Sequence, residues 1–250
     1  MYHELELPGR PLCRSEAGYV RYVLPQSAFR SQMRWLRQNG WRGLSVSQAL
    51  HYPEGQSVAF TLDDGSETDL LTAAPILKAN GFNATFYITA GFIGGHGYLS
   101  AEQLRELSAL GFEIGCHSMT HPYLNGLEKS RLRHEIADAG KKLEDIIGRR
   151  VEHFSCPGGR YDANALAVAK EAGYRSVATS QVRANSPATD PFALGRVAIV
   201  RDFDDALFQR ICTGEALPRI RLLQSVRATA RNLLGNQLYD RFRARLLHEP

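Results

Sequence analysis

Apolar residues recur along this chain at two spacings, one helical and one strand-like, and the two take turns. Between Ser27 and Gln38, the residues Phe29, Met33 and Leu36 share a helical face. Pro25 precedes this run, Ser27 is placed to cap it, and Asn39-Gly40 ends it. Small and large residues alternate from Ser57 to Leu62 as in a strand, which leads straight into Asp63-Asp64-Gly65. Leu70 to Ala79 predicts a helix stopped by Asn80-Gly81. Ala84 to Ala90, rich in β-branched and aromatic residues, predicts the next strand. Ser100 and Gln103 form a capping-box pattern that opens a short helix ending near Gly111, and Phe112 to Cys116 is a strand feeding His117. A long amphipathic helix from Leu127 to Ile147 carries Leu132, Ile136, Leu143 and Ile147 near one face, with Gly148 closing it. Val151 to Cys156 reads as a strand that runs into Pro157-Gly158-Gly159. Asp162 caps a helix ending at Gly173, and Tyr174 to Thr179 and Arg196 to Val200 are further strands.

Alternation of this kind predicts an α/β chain built on a parallel sheet or barrel, in which function gathers where the strands end. A length of 250 residues suits one such barrel, and 44% hydrophobic against 22% charged residues supports a packed core. The net charge of +4 is modest, and much of it lies in the C-terminal tail, so the body is not marked as a nucleic-acid binder. Cys13, Cys116, Cys156 and Cys212 are widely spaced and contain no C-x-x-C pair. They read as reduced packing thiols, not as a disulfide framework or a zinc ribbon. The opening MYHELELPGR has no basic region followed by an apolar run, and no stretch approaches the roughly 18 apolar residues of a spanning helix. A soluble, cytoplasmic protein is expected.

Three polar motifs sit at predicted strand exits. Asp63-Asp64 places two carboxylates side by side but pointing in different directions, so that one can bind a metal while the other acts as a base. An Asp-Gly turn alone has the same spelling. His117-Ser118-Met119-Thr120-His121 spaces two imidazoles four apart, close enough to converge on one ion. Two imidazoles and one carboxylate leave coordination positions open for water and substrate. Pro157-Gly158-Gly159 exposes backbone N–H groups of the kind that stabilise an oxyanion, and an ordinary βα turn would look the same.

The ordered set TLDDG, HSMTH and CPGG, with Pro75-Ile76-Leu77 and Gly81-Phe82-Asn83-Ala84-Thr85-Phe86-Tyr87 between the first two, resembles the polysaccharide deacetylase family, also called NodB-homology or carbohydrate esterase family 4. The resemblance covers roughly Ser57 to Val200. It implies a distorted (β/α) barrel, a divalent metal ion (zinc first, with cobalt, nickel or manganese also compatible) and hydrolysis of N-acetyl groups on amino sugars. It makes Asp64, His117 and His121 the metal ligands, Asp63 the catalytic base and the Gly158 N–H an oxyanion donor, with Pro157, Gly159 and Arg160 lining the substrate.

Three features depart from the family pattern. The arginine that usually lies two residues before the proline and orients the base is Ser155 here, which leaves Arg160 and Arg196 as replacements. The late Leu-x-His motif is missing around Ile199-Val200-Arg201, and the fourth-motif tryptophan has no counterpart, the only tryptophans being Trp35 and Trp41. Tyr2-His3 and the Gln26 to Leu50 segment are similar to exopolysaccharide deacetylases of the PgaB and IcaB kind, whose barrel is circularly permuted. That similarity makes His3 the general acid.

The deacetylase barrel is therefore expected over residues 1–218, followed by a basic amphipathic helical tail over 219–250. In the tail, Leu222, Val226, Leu233, Leu234, Leu238, Phe242 and Leu246 trace one helical face, with Arg221, Arg227, Arg231, Arg241, Arg243 and Arg245 around it. Such a face either packs on the barrel or lies on an anionic membrane surface through residues 219–247. The expected substrate is an N-acetylated amino-sugar saccharide. A deformylase or other amide hydrolase on the same scaffold, and a metal-containing saccharide-binding protein without turnover, are the competing readings.

Overall fold

The computed structural model describes residues 1–51 and 55–234. Its frame is a five-stranded parallel sheet in sequential order: β5 (Thr61–Asp64), β6 (Thr85–Ile88), β7 (Glu113–Cys116), β8 (His153–Ser155) and β9 (Ser176–Ala178). Two short parallel pairs precede it, β1 (Leu5–Glu6) with β2 (Leu24–Pro25) and β3 (Arg42–Leu44) with β4 (Ser57–Ala59). Every residue of β5 and β6 is buried, as expected of parallel strands covered on both faces. A helical crossover joins each successive pair of sheet strands.

The predicted Ser57–Leu62 strand divides at Phe60. There the backbone N–H donates to Leu44 O at 2.9 Å while the carbonyl accepts from Thr85 N at 2.9 Å, so the chain changes pairing partner at one residue. Hydrogen bonds then carry the sheet round from its far edge. Leu194 pairs with Val177 and Thr179, Met1 bonds to Val197 and Ile199, and Tyr2 bonds to Thr61 and Asp63 of β5. The expected Arg196–Val200 strand exists only as this irregular bonded segment. The N-terminal residues thus lie between it and β5, and the parallel sheet is curled.

Most helix readings hold within a residue or two. The helix at Gln26–Gln38 starts one residue early, directly after Pro25 and without a side-chain cap from Ser27, and it buries Phe29, Met33 and Leu36. The Ser100–Gln103 capping box is formed, and Asp162 caps Ala163–Glu171 through the Ala165 N–H. The long helix is interrupted by a π-helical turn over His134–Asp138, and Gly148 ends it in the left-handed conformation. Leu132, Ile136 and Leu143 enter the main core with Phe29, Met33 and Leu36.

A C-terminal helix runs over Leu217–Leu234. Leu222 and Val226, the described members of the predicted apolar face, are 65% and 61% exposed and so are not packed on the body. Leu238, Phe242, Leu246, Arg241, Arg243 and Arg245 lie outside the described residues. Among the described residues no helix is long and apolar enough to cross a membrane.

Gly115 in β7 faces Tyr87 in β6, and a Cβ there would meet the Tyr87 ring at 2.4 Å and the His153 carbonyl at 3.1 Å. Both the ring and the neighbouring backbone would have to shift. Gly115→Ala is expected to cost about 1–3 kcal/mol through overpacking, which lowers the thermal midpoint by about 3–10 °C. An unchanged midpoint in a calorimetric scan would show that the strands yield without strain.

Candidate active site

The strand exits bring the first two motifs together. At the end of β5 the backbone of Asp64 turns into the left-handed region (φ +84°), which L residues seldom enter, and its carboxylate parts from that of Asp63. Ser118 and His121 are left-handed as well (φ +70° and +60°), and this folds the five-residue loop tightly enough to bring both imidazoles back to Asp64. Ligand atoms of Asp64, His117 and His121 all lie within 4.8 Å of one another. Asp64 Oδ1 is 3.5 Å from His117 Nε2 and 3.4 Å from His121 Nε2.

The donor chemistry fits a divalent cation. His117 Nδ1 lies 2.9 Å from the Ser155 carbonyl, which can only accept, so Nδ1 carries the proton and Nε2 presents a lone pair. Burial lowers the His117 pKa to about 4 against the pull of Asp63 and Asp64, so the ring is neutral near pH 7. Asp64 Oδ1 is buried with no hydrogen-bond partner. Acceptors facing one another without a proton between them repel unless a cation joins them. Tetrahedral bonds of ~2.0–2.1 Å would hold such ligands ~3.3 Å apart, close to the separations from Asp64.

Asp63 is held quite differently. Arg196 donates to Asp63 Oδ1 at 2.7 Å and to Oδ2 at 2.9 Å, and Ser155 Oγ donates to Oδ2 at 3.2 Å. Burial by itself would raise the Asp63 pKa, but the guanidinium, His117 and the hydrogen bonds from Arg196 hold it well below the usual carboxylate range. Of the two arginines considered for the role, Arg196 therefore reaches the carboxylate. Arg160 instead lies 3.8 Å from the centre of the Tyr123 ring. The residue at the family's arginine position, Ser155, accepts from Arg196 at 2.7 Å and so belongs to the same network.

Gly158 and Gly159 (φ +58° and +65°) form the turn after β8. A Cβ on Gly158 would meet the Tyr123 ring at 2.8 Å, and one on Gly159 would meet Ser180 at 2.6 Å, so both positions exclude larger residues. His3 lies on the N-terminal segment that pairs with β5, its ring 4.8 Å from that of Tyr22 and its Nδ1 buried without a partner. Burial lowers its pKa, with the nearby Asp64 and Asp63 carboxylates opposing the shift. Cys116 and Cys156 are buried, and burial pushes both thiols up to about 12; among the described residues neither joins the converging ligand atoms of Asp64, His117 and His121.

Glu135 was not among the expected residues. Fully buried on the π-helical turn, it accepts from the Met119 and Thr120 N–H groups at 3.1 and 2.8 Å and from Thr120 Oγ1 at 2.8 Å, while Arg131 pairs with it at 2.7 Å. It fixes the loop that carries both histidines. A carboxylate next to Ile136 and one turn from Leu132, at the shoulder of the amphipathic face, was the available signal.

A family model described as polysaccharide deacetylase matches residues 51–177. YxkH of Bacillus subtilis (strain 168) is 31% identical over 182 residues, covering 70% of this chain and 65% of YxkH, so the chain spans just under two thirds of that relative. The poly-beta-1,6-N-acetyl-D-glucosamine N-deacetylase of Staphylococcus aureus (strain MRSA252) is 26% identical over 208 residues, 76% of this chain and 72% of that protein. Among solved structures, IcaB from Ammonifex degensii superposes with a TM-score of 0.70 at 25% identity, covering 85% of this chain and 93% of that one. The Streptococcus pyogenes deacetylase PplD, in complex with acetate, gives 0.74 at 22% identity over 84% and 95%, a likeness of fold.

Removing the guanidinium should expose the cost of the buried charge. Arg196→Met is expected to lower stability at pH 7 by about 3–5 kcal/mol, because it strands the Asp63 carboxylate. The depressed Asp63 pKa contributes stability above the unfolded value near ~3.9, and that stability is lost as pH falls. The variant's deficit should therefore narrow at acidic pH, where its own Asp63 takes up a proton. Urea denaturation across pH checks this, and a deficit independent of pH would contradict it.

Proposed function

We infer the activity from a firm premise: the chain belongs to the polysaccharide deacetylase family. The proposed function is metal-dependent removal of N-acetyl groups from amino sugars of a poly- or oligosaccharide, in exopolysaccharide or glycolipid biosynthesis. The observation that carries this reading is the contrast between two adjacent carboxylates. Asp64 offers an oxygen without a hydrogen-bond partner to the Nε2 atoms of two imidazoles, while Asp63 is held by Arg196 beside them.

Asp64, His117 and His121 would hold the ion. These ligand types favour zinc, and cobalt, nickel or manganese fit the same donors. When bound, the ion supplies Lewis acidity, lowering the pKa of a water toward ~7 and polarising the acetamido carbonyl. Asp63 takes the proton of the attacking water. Arg196 and Ser155 keep its carboxylate from rotating. The Gly158 N–H stabilises the carbonyl oxygen as negative charge develops. His3 delivers a proton to the departing amine. The proton it gives is replaced by the one Asp63 took from the water, which resets both groups, and burial, by lowering the His3 pKa, favours its release. Pro157, Gly159 and Arg160 line the acetamido side of the substrate.

The binding-protein alternative rested on two gaps in the motif pattern, the missing arginine and the missing late histidine. Arg196 at Asp63 and His3 near both carboxylates supply the corresponding chemistry from other parts of the chain, which supports turnover. The polymer named for the Staphylococcus aureus relative, β-1,6-linked N-acetylglucosamine, is the substrate to try first.

Acetate release from oligomers of that polymer tests the reading. The wild type should release acetate. Asp63→Asn and His3→Ala should each lower turnover by about 10²–10⁴-fold while keeping wild-type metal content. Formate release from N-formyl substrates alone would reassign the amide, and saccharide binding without product would favour the non-catalytic reading.

A further inference from the structure

A cleft away from the catalytic residues holds a positive charge that none of the described residues neutralises. It lies between the segment after β9 and the Leu217–Leu234 helix, has a volume of about 590 Å³, and is lined in part by Arg183, Leu217, Pro218, Arg221 and Leu222. The Nε and Nη2 atoms of Arg183 are shielded from solvent and have no hydrogen-bond partner among the described residues. A guanidinium held that way is costly unless an anion supplies the missing acceptors. Its stem cannot easily swing away, because it packs on Gly195, where a Cβ would come within 2.2 Å of Arg183 Cγ.

The opposite wall is also anchored. Gln224 accepts from the Val182 N–H at 2.8 Å, and its side-chain amide donates to the Ser180 carbonyl, so the helix is clamped to the segment that carries Arg183. Next to the cleft, Leu222, Leu223 and Val226 are 65%, 49% and 61% exposed. The charged residues of the helix sequence are all arginines: Arg219, Arg221, Arg227 and Arg231. Arginines alone would serve any small anion. Exposed leucines and valine beside them add the apolar half of a surface that meets lipid.

We propose that this cleft seats the headgroup phosphate of an anionic phospholipid, with Leu222, Leu223 and Val226 entering the bilayer interface. The segment bearing Arg183 leaves the C-terminal end of β9, the same end of the sheet that carries Asp63, Asp64 and His117. Docking there sets the catalytic end of the sheet at the membrane surface. The inference is independent of the deacetylase reading, since membrane binding is measured without turnover.

Flotation of the full chain with phosphatidylcholine vesicles, with and without phosphatidylglycerol, tests it. Binding should require phosphatidylglycerol and weaken with salt. Arg221→Gln, at an exposed position, should reduce vesicle affinity roughly five-fold, and Arg183→Gln combined with it roughly 25-fold. Leu222→Asp with Val226→Asp should also reduce it, and all these variants should keep wild-type metal content and a thermal midpoint no lower than the wild type's. Absence of wild-type binding, equal binding to neutral vesicles, or undiminished binding by the Arg variants would overturn the proposal. Stabilisation by inorganic phosphate without vesicle binding would make the cleft a free-anion site. Self-association in sedimentation velocity that Leu222→Asp abolishes, without vesicle binding, would make it a contact between copies; either result also overturns the proposal.

Discussion

The Arg196 guanidinium has five N–H bonds, and each finds an acceptor: Thr179 O, Thr61 Oγ1, Asp63 Oδ1, Asp63 Oδ2 and Ser155 Oγ. Burying such a cation is offset only when its geometry is complete, because every unmet N–H adds to the cost of leaving water. The acceptors come from β5, from β8 and from the residue that follows β9. β5 and β9 are the two edges of the five-stranded sheet, so one side chain can reach both only if the sheet curls. The 194–199 segment and Met1–Tyr2 fill the remaining gap with backbone hydrogen bonds. Gly115 contributes at one remove, since it makes room for Tyr87, whose ring lies 5.4 Å from the same guanidinium.

The division of labour at the site follows from that ion pair. Both oxygens of Asp63 are committed to Arg196, which holds the carboxylate still and keeps it ionised. Its neighbour is turned away by a left-handed backbone and has no such partner, so Asp64 Oδ1 is left to face His117 and His121. The same environment tunes the imidazole: His117 is buried enough to stay neutral, and the Ser155 carbonyl selects the nitrogen that presents its lone pair. Ser155 therefore serves both halves of the site, its hydroxyl joining Arg196 to Asp63 and its carbonyl orienting His117.

The chemistry-bearing motifs were legible because each is local: the Asp pair at a strand exit, two histidines four apart, and a Pro-Gly-Gly turn. The long-range partner was not. Nothing near Arg196 in the sequence singles it out over Arg160, since its role depends on a contact with Asp63 across 133 residues of chain. Glu135 was hidden for a related reason: a π-helical turn shifts the inward face, so a regular helical period leaves it on the shoulder. The partner switch at Phe60 was invisible because alternation continues across it, and only the pairing changes. Two-residue strands such as β1 and β2 carry too little pattern to read. For the tail helix the sequence left two readings open, and the exposure of Leu222 and Val226 bears against packing on the body.

The separation of roles between two adjacent carboxylates is the centre of this account, and metal content per chain tests it most directly. Wild type and Asp63→Asn, purified without chelator and supplied with zinc, should each carry about one ion per chain, whereas Asp64→Asn should carry almost none, because a neutral amide oxygen is a poor replacement for a carboxylate ligand. Metal retained by Asp64→Asn but lost from Asp63→Asn, or absent from the wild type under the same conditions, would contradict it.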